Sequence, residues 1–365
     1  MKSFKNNIHP CFKINGYSIS AIDISELGYS YIKEGAEFEK SIGQFLLDWV
    51  DNSPQIVVQT SGSTGTPKSI RLQKEHMVNS ALATGRYFEL SANDTALLCL
   101  PATYIAGKMM LVRAMVLGLN IHIVPPTSDP LTKNTGAFDF GAMVPLQVLN
   151  SISNLHRVKI LLIGGAPVSA DLRSKLKNIG NYSYETYGMT ETITHIAVKR
   201  INGFDEHLGE FNFPFEVLPD ISISTDDRNC LLIDAPKVSD FKIVTNDVVE
   251  LISSSQFKWL GRFDNIINSG GVKLNPELIE SKLSNVLSGS FFIASLPDPI
   301  LGEQLVLILE AEEIEELVVQ KINTSTILTK FEKPKAIEVI SEFVRTKSGK
   351  INRRETKALL KSSLP

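Results

Sequence analysis

The sequence has little cysteine and no excess of charge of either sign. Its three cysteines, Cys11, Cys99 and Cys230, are odd in number and far apart, so they can form neither a disulfide framework nor a CxxC metal site. Lys and Arg total 37 against 40 Asp and Glu, which gives a formal net charge of −3. This balance excludes a global basic field that would attract nucleic acid or anionic membranes. The cysteine usage is typical of a reducing compartment.

Long apolar runs are also missing. The most apolar region, residues 109–124, is interrupted by three polar side chains before it reaches the roughly 20 residues of a membrane span. The first 20 residues carry Lys2 and Lys5 near their start but no continuous apolar stretch that could act as a signal peptide. We therefore expect residues 109–124 to be buried core, and we expect a cytoplasmic protein without a membrane span.

The length and pattern of the chain indicate a multidomain α/β protein. Its 365 residues exceed one ordinary core and predict two or three domains. Short β-branched runs alternate with longer helical patterns, which is typical of the α/β class. The predicted strands are 56–59, 96–100, 121–124, 160–163 and 183–186, and the predicted helices are 72–87, 106–117 and one that starts at Ser169.

The pattern changes in the second half of the chain. From about residue 217 to 260, short strands separated by turns predict a small antiparallel β subdomain. A helix start at Pro276 and strands at 291–294 and 305–309 then predict a separate module of about one hundred residues. We expect the acidic cluster at 310–316 to be a solvated helix face, and part of the basic tail at 345–361 to be the same.

One hydroxyl- and glycine-rich loop has the composition of a phosphate-binding site. Residues 59–69 read QTSGSTGTPKS and follow a predicted strand. Glycines let the backbone approach closely, hydroxyls and N–H groups donate to phosphoryl oxygens, and a lysine supplies a cation. Pro67 occupies the second glycine position of the Walker A pattern, which disfavours a P-loop; an exposed turn is the alternative. The candidate phosphate ligands are Thr60, Ser61, Gly62, Ser63, Thr64, Gly65 and Lys68.

Four further segments follow this loop in order. They are YGMTET at 187–192, TND at 245–247, GRFDNIINSGGVKLNPE at 261–277 and RTKSGKINR at 345–353. Together with the loop they resemble the motifs of the adenylate-forming acyl-CoA and aryl-CoA synthetases, and they span nearly the whole chain. The resemblance implies a large N-terminal adenylation domain, 1–263, of mixed α/β layers, and a small mobile α+β C-terminal lid, 264–365.

The resemblance also implies an enzyme that uses ATP, Mg²⁺ and CoA, and it assigns roles to single residues. Without the motifs, each of these residues would be interpreted as an ordinary turn, surface or core residue. The resemblance implies that Glu191, beside Thr190, binds Mg²⁺ and that Lys350 is catalytic. It implies adenine contact for Tyr187, Gly188 and the turn formed by Gly164, Gly165 and Ala166. It also implies ribose or phosphate contact for Asp247 and Arg262, and a hinge at Asp264.

A closer resemblance concerns the acid substrate. The short region before the phosphate loop, together with segments 100–113 and 187–195, resembles the o-succinylbenzoate–CoA ligases of menaquinone biosynthesis. Their substrate is a dicarboxylic acid, so the carboxylate that does not react needs a cation or polar donors. Lys108 and Arg113 are candidates, but residues five apart on a helix diverge, so we expect one of them to face the pocket. Tyr104, where many such ligases have His, and His195 are the other candidate pocket residues.

Other functions fit the same motifs. Another small aryl-CoA or acyl-CoA ligase, or a stand-alone amino-acid adenylation enzyme, would carry the same five segments. A catalytically silent AMP-binding protein, or a nucleic-acid binder that uses the basic tail, is the non-enzyme alternative. The presence of all five ionisable motif residues, Lys68, Glu191, Asp247, Arg262 and Lys350, favours an active enzyme. The expected partners are therefore small molecules, a carboxylic acid with ATP and CoA, and no nucleic acid.

Overall fold

The computed structural model describes residues 7–59, 69–133, 135–203, 213–345 and 351–361. The helices in these ranges are α1 Asp23–Glu34, α2 Glu37–Val50, α3 Lys74–Tyr87, α4 Ile105–Leu117, α5 Pro145–Asn150, α6 Ala170–Leu176, α7 Pro276–Leu283, α8 Glu316–Thr324 and α9 Arg353–Lys361. The strands are β1 Lys13–Ile14, β2 Tyr17–Ser18, β3 Gln55–Gln59, β4 Ser69–Gln73, β5 Thr95–Leu98, β6 Asn120–Ile123, β7 Phe138–Met143, β8 Val158–Ile163, β9 Tyr182–Gly188, β10 His195–Arg200, β11 Phe215–Val217, β12 Ser222–Thr225, β13 Cys230–Asp234, β14 Ile243–Leu251, β15 Gln256–Arg262, β16 Ile267–Ser269, β17 Val272–Leu274, β18 Phe291–Asp298, β19 Gly302–Glu310 and β20 Ala336–Ile340.

A mixed sheet organises the first part of the chain and confirms the predicted α/β class. Its strand order is β12-β13-β14-β15-β11-β10-β9-β8-β7-β5-β6-β1-β2. Strands β5 to β9 pair in parallel, whereas β9 to β15 pair with antiparallel neighbours. The carboxyl ends of parallel strands lie at the same edge, so the segments after β8 and β9 are brought together.

Two sequence predictions differ from this architecture. Strands β11 to β15 are antiparallel, as predicted, but they continue the large sheet, because β11 pairs with both β10 and β15. The helix predicted from residue 72 begins at Lys74 instead. The residues before it belong to β4, which pairs in register with β3, and this backbone pairing outweighs the local helical pattern.

The core of this region is built on amphipathic and fully buried helices. Helix α2 buries Ile42, Phe45, Leu46 and Trp49 on one face, and burial of each such side chain contributes about 1.5–3 kcal/mol. Helix α4 is buried on nearly all sides from Gly107 to Met115. Residues 109–115 are therefore core, as predicted, and the rest of the predicted core segment, 116–124, is buried or half-buried against it. The predicted helix start at Ser169 is also confirmed, because its side chain accepts from Leu172 N–H and caps α6.

A second sheet forms after β15. Strands β17, β16, β19 and β18 lie in that order, and β20 pairs in parallel with β19. Its buried apolar residues, between Ile267 and Leu360, form clusters separate from the first core. The acidic cluster at 310–316 is not a helix face: Glu310 ends β19 and pairs with Arg345, and α8 begins only at Glu316. In the basic tail, Arg345 is ion-paired, whereas Arg354 on α9 is exposed, so part of the tail is a solvated helix face, as predicted.

In the ranges that the structure describes, no helix is both long and apolar enough to cross a bilayer.

Candidate active site

The base of the phosphate loop lies in the described structure, although the loop itself does not. Thr60, Ser61, Gly62, Ser63, Thr64, Gly65 and Lys68 lie outside the described residues. Strands β3 and β4 pair antiparallel with Gln59 opposite Ser69, which brings the two ends of the loop together. Strand β4 also packs against the turn Thr190–Thr192. The loop therefore starts and ends beside the segment that carries Glu191.

The turn after β8 leaves space that only glycine can provide. Gly164 donates its N–H to Met143 O at 3.1 Å, and a Cβ at this position would lie 2.5 Å from Oγ1 of Thr186. Gly165 has a φ of +85°, a conformation that other residues rarely adopt. These constraints keep the backbone of Gly164, Gly165 and Ala166 close to the end of β9, next to Tyr187.

The end of β9 leads into a tight turn that presents Glu191. Gly188 lies so close to the following strand that a Cβ would be 2.3 Å from Thr194 O. The buried Thr192 hydroxyl accepts from Met189 N–H at 3.0 Å, and Ile193 adopts a φ of 66°. A positive φ in a β-branched residue is a strained conformation that the surroundings must impose. Thr190 is half-buried and the Glu191 side chain is exposed beside it.

Glu191 fits one coordination site of a Mg²⁺ ion. Its carboxylate has no ion pair or hydrogen bond to any residue the structure describes, and carboxylate oxygen is a ligand that Mg²⁺ prefers. Among the described residues, no three His, Cys, Asp or Glu side chains come together as a metal site. A single free carboxylate suits Mg²⁺, which usually keeps several waters and is bound through one or two carboxylates and substrate phosphates.

Tyr187 and Asp247 are in direct contact. Tyr187 donates its hydroxyl to Asp247 Oδ2 at 2.7 Å, and Trp259 donates Nε1–H to Oδ1 at 3.0 Å. The Tyr187 ring packs against Phe215 and Phe257, with centroids 5.8 and 5.2 Å away. Burial and the adjacent carboxylate raise the pKa of Tyr187 above its usual value, so it remains a donor at neutral pH.

Arg262 and the hinge candidate Asp264 form a second polar group beside this one. Arg262 is opposite Asp247 in the strand register, but its guanidinium bonds to Asp264 at 2.9 Å. Asn246 Nδ2 also donates to both Asp264 oxygens, at 3.2 and 3.1 Å. Arg228 bonds to Asn246 at 2.9 Å and lies over the Phe263 ring. The turn that begins the C-terminal module is therefore tied to β14.

Lys350 lies outside the described residues, but its flanking segments are described. Arg345 and Ile351 form an antiparallel bridge, so the segment between them starts and ends at the same place. The Arg353 guanidinium donates two hydrogen bonds to the Glu280 carboxylate on α7, with N–O distances of 2.8 and 2.7 Å. Its neighbour Asn352 donates its N–H to Val344 O at 2.7 Å. These contacts fix the base of the segment that carries Lys350.

Arg113 and His195 lie together under the turn that presents Glu191. Arg113 Nη2 is 3.4 Å from both His195 Nδ1 and Thr194 Oγ1, and Arg113 Nε is 3.3 Å from Thr84 Oγ1. Thr84 Oγ1 is also 3.4 Å from His195 Nε2. Arg113 is only 2% exposed. It forms no ion pair with any carboxylate in the described ranges, so a buried cation is surrounded by neutral groups.

Burial shifts the titration of both groups. It lowers the pKa of Arg113 to about 10, which leaves the guanidinium charged at neutral pH. Burial, and then the Arg113 charge, lower the pKa of His195 well below its ordinary value. His195 is therefore neutral, and a neutral imidazole can accept from Arg113 at Nδ1 and donate to Thr84 at Nε2.

Lys108 and Tyr104 occupy a different environment. Lys108 Nζ lies over the Phe45 ring of α2, 4.9 Å from its centroid, and burial lowers its pKa while Asp48 opposes that shift. Tyr104 is half-buried and precedes α4. Of the four candidate pocket residues, the structure brings Arg113 and His195 together and places Lys108 against α2.

Sequence reasoning missed several residues of these groups. Trp259, Thr84 and Asn246 were not singled out, because none carries a charge or lies in a motif position with an assigned role. A tryptophan three residues before Arg262 in a predicted strand was the only available signal for Trp259. Thr84 lies within a helical pattern, where a threonine carries no signal at all.

Comparisons with known proteins connect these features. Residues 47–215 match the family described as AMP-binding enzyme. An acyl-CoA synthetase (AMP-forming)/AMP-acid ligase II-like protein from Dyadobacter fermentans is 34% identical, with a TM-score of 0.60, over 92% of this chain and 98% of that chain. A 2-succinylbenzoate–CoA ligase from Listeria monocytogenes serotype 4b is 25% identical over 372 residues, which cover 93% of this chain and 77% of the relative.

A third comparison concerns the fold alone. The O-succinylbenzoate coenzyme A synthetase from Bacillus subtilis, solved in complex with ATP and magnesium ion, is 18% identical, with a TM-score of 0.70, over 82% of this chain and 69% of that chain. The folds are therefore similar across most of both chains.

Proposed function

Because the chain belongs to the AMP-forming acyl-CoA synthetases, we propose that it activates o-succinylbenzoate with ATP and transfers the acyl group to CoA, in the cytoplasm, as a step of menaquinone biosynthesis. It is an AMP-forming acid–CoA ligase, and enzymes of this kind use ATP, Mg²⁺ and CoA. The observation that carries the choice of a dicarboxylic acid is Arg113, a buried cation beside the turn of Glu191 with no carboxylate partner among the described residues.

In the first half-reaction the acid is activated. An oxygen of the substrate carboxylate attacks the α-phosphorus of ATP, the bond to the bridging oxygen of pyrophosphate breaks, and acyl-AMP forms. Asp247 and Arg262 bind the ribose, while Tyr187 and the turn Gly164–Ala166 border the adenine. Lys350 donates to the oxygens on which negative charge develops, as preorganised donors do in phosphoryl transfer. Mg²⁺, held by Glu191, neutralises phosphate charge when bound.

In the second half-reaction the thioester forms. The sulfur of CoA attacks the acyl carbon, the mixed anhydride bond breaks, the thiol proton is released and AMP leaves. We propose that residues 264–365 act as a lid that turns near Asp264 between the two steps, which removes Lys350 and admits the thiol. A few residues at the end of an element commonly absorb such a rotation, and Asp264 lies two residues beyond Arg262, where β15 of the large sheet ends.

The unreacted carboxylate of the acid needs a partner in a site that excludes water. Arg113 meets three requirements: it is charged, it is buried, and its present partners are neutral atoms at 3.3–3.7 Å. A planar guanidinium suits bidentate binding of a carboxylate. Lys108 is also buried, but it lies over Phe45 on α2 and has no contact with the His195 group. We therefore assign the carboxylate to Arg113.

The test is a coupled assay with ATP, CoA and a panel of acids, in which formation of AMP and of the thioester are both measured. The expected result is the highest kcat/KM with o-succinylbenzoate and a much lower value with its analogue 4-oxo-4-phenylbutanoate, which lacks the ring carboxylate. A preference for a different aryl acid would overturn the substrate but keep the ligase. Adenylation of amino acids without thioester formation would instead identify an amino-acid adenylation enzyme.

A further inference from the structure

Asp247 is held by two neutral donors, one on each carboxylate oxygen. Tyr187 Oη is 2.7 Å from Oδ2, and Trp259 Nε1 is 3.0 Å from Oδ1. Asp247 is 7% exposed, and none of the cations in the described ranges forms an ion pair with it. The carboxylate cannot rotate without breaking one of these two charge-assisted bonds. Its orientation is therefore set by Tyr187 and Trp259 together.

A β-bulge brings Trp259 to this position. In the pairing of β14 with β15, Val248 is opposite Gly261 but Val249 is opposite Trp259, so Leu260 is the extra residue. Side chains alternate along a strand, and one extra residue moves all later ones to the other face. Without the bulge, Leu260 would be opposite Val249. The bulge therefore places the indole on the face of the strand pair that carries Asp247.

The two donors leave acceptor capacity for a ligand. Each carboxylate oxygen can accept two hydrogen bonds. Each accepts one side-chain bond from the described residues, which leaves one acceptor site on each oxygen with respect to this part of the chain. Two adjacent acceptor sites suit the two adjacent hydroxyls of a ribose. The indole N–H can only donate, so Trp259 cannot compete with Asp247 for these hydroxyls.

We propose that Trp259 is a positioning residue which, with Tyr187, orients Asp247 to accept both hydroxyls of the ribose cis-diol, so that the enzyme selects ribonucleotides over deoxyribonucleotides. This inference rests on the proposed function, which makes ATP the substrate of the site. Trp259 itself need not touch the nucleotide. Its contribution should therefore be visible only with substrates that carry both hydroxyls.

The experiment measures kcat/KM for ATP, 2′-deoxyATP and 3′-deoxyATP in pyrophosphate exchange, for the wild type and for Trp259→Phe. The expected result is that the variant loses about tenfold with ATP, as for a lost hydrogen bond to a charged group, and much less with either deoxynucleotide. The preference for ATP then falls by the same factor. Tyr184→Phe removes a hydroxyl from β9, the strand of Tyr187, at a position where the Tyr184 ring packs on Phe88; it is the control and should keep the preference.

The outcomes separate this inference from the proposed function. If Trp259→Phe loses activity equally with all three nucleotides, the indole only packs, and the inference fails while the ligase assignment stands. If the wild type consumes ATP with no acid at all, the proposed function fails and the inference falls with it. Tyr187→Phe removes the other donor and should reduce the same preference.

A second measurement does not require a substitution at Trp259. The sequence contains two tryptophans, so Trp49→Phe leaves Trp259 as the single indole fluorophore. AMP should change its emission in a saturable manner, because the oxygen that accepts from Nε1 also binds a ribose hydroxyl. 2′-DeoxyAMP, which lacks one of the two ribose hydroxyls, should need at least about a tenfold higher concentration to produce half of its emission change. Equal affinities for the two nucleotides would overturn the inference.

Discussion

Asn246 donates its side-chain amide to both carboxylate oxygens of Asp264, at 3.2 and 3.1 Å. Asn246 precedes Asp247 on β14, whereas Asp264 lies in the turn that leads to the second sheet. The strand that carries the proposed ribose ligand is therefore bonded directly to the proposed hinge. Both residues are partly exposed, and such surface contacts are worth about 1 kcal/mol or less, so the contact can open during turnover.

Replacing Asp264 with Pro should slow the thioester step more than adenylation. Proline fixes φ near −65°, which restricts the rotation proposed at this residue. Acyl-AMP should accumulate and be detectable by rapid quench and chromatography. Asp264→Ala is the control, because it removes the bonds to Asn246 and Arg262 without fixing φ, and it should not trap acyl-AMP. A Pro variant that completes both steps at the normal rate would place the hinge elsewhere.

Replacing Lys350 with Ala should slow adenylate formation by about 10²–10³, the usual effect of removing one charge-stabilising donor. The thioester step, started from synthetic acyl-AMP, should be nearly unchanged, because in the proposed mechanism the lid has moved the lysine away by then. Single-turnover assays of each half-reaction measure the difference. Lys347→Ala, three residues earlier in the same segment, is the control and should affect neither step. Equal damage to both steps by Lys350→Ala would contradict its proposed role.

Part of the geometry of the candidate site could be predicted from the sequence, because several candidate residues follow predicted parallel strands. The parallel strands β8 and β9 bring Gly164 and Glu191 to one edge, as the α/β pattern indicates. Trp259 could not be predicted, because its position depends on a bulge that only the cross-strand register reveals. Local patterns likewise cannot specify sheet continuity, and they therefore missed that β11 joins the later strands to the large sheet.

The choice between Lys108 and Arg113 also required the structure. Helix α4 is buried on nearly all sides, so it has no polar face from which the pocket side could be inferred. Only the neighbouring elements distinguish the two cations: α2 contacts Lys108, whereas α3 and the start of β10 contact Arg113.

The free energy of unfolding should depend on pH through His195. Burial and the Arg113 charge keep its pKa in the folded protein well below the ordinary value of 6.5. The stability that the neutral form provides is therefore complete above about pH 6.5, and it is lost as the pH falls below that value, because the unfolded chain then takes up a proton that the folded protein does not. The slope should reach up to about 1.4 kcal/mol per pH unit.

The measurement is urea unfolding of the wild type and of His195→Gln at several pH values between 5 and 7.5. The variant lacks the titrating group, so its stability should fall less steeply towards acid pH. His156→Gln changes an exposed histidine and should retain the wild-type slope. Parallel curves for the wild type and His195→Gln would show that the imidazole takes up its proton in the folded state as well.

The last prediction concerns acid specificity. Arg113→Met keeps most of the side-chain length but leaves the buried carboxylate of o-succinylbenzoate without its cation. Removal of one partner of a buried ion pair costs about 3–5 kcal/mol, so kcat/KM for this acid should fall by at least about a hundredfold. The loss with 4-oxo-4-phenylbutanoate should be much smaller, since no ring carboxylate then needs a partner.

Lys108→Met should preserve the ratio between the two acids, because Lys108 lies beside Phe45, away from the His195 group. A fold defect in either variant would weaken both acids alike. If Arg113→Met keeps the full preference for the dicarboxylic acid, the cation comes from another part of the chain, and the acid pocket does not lie beneath the turn that presents Glu191.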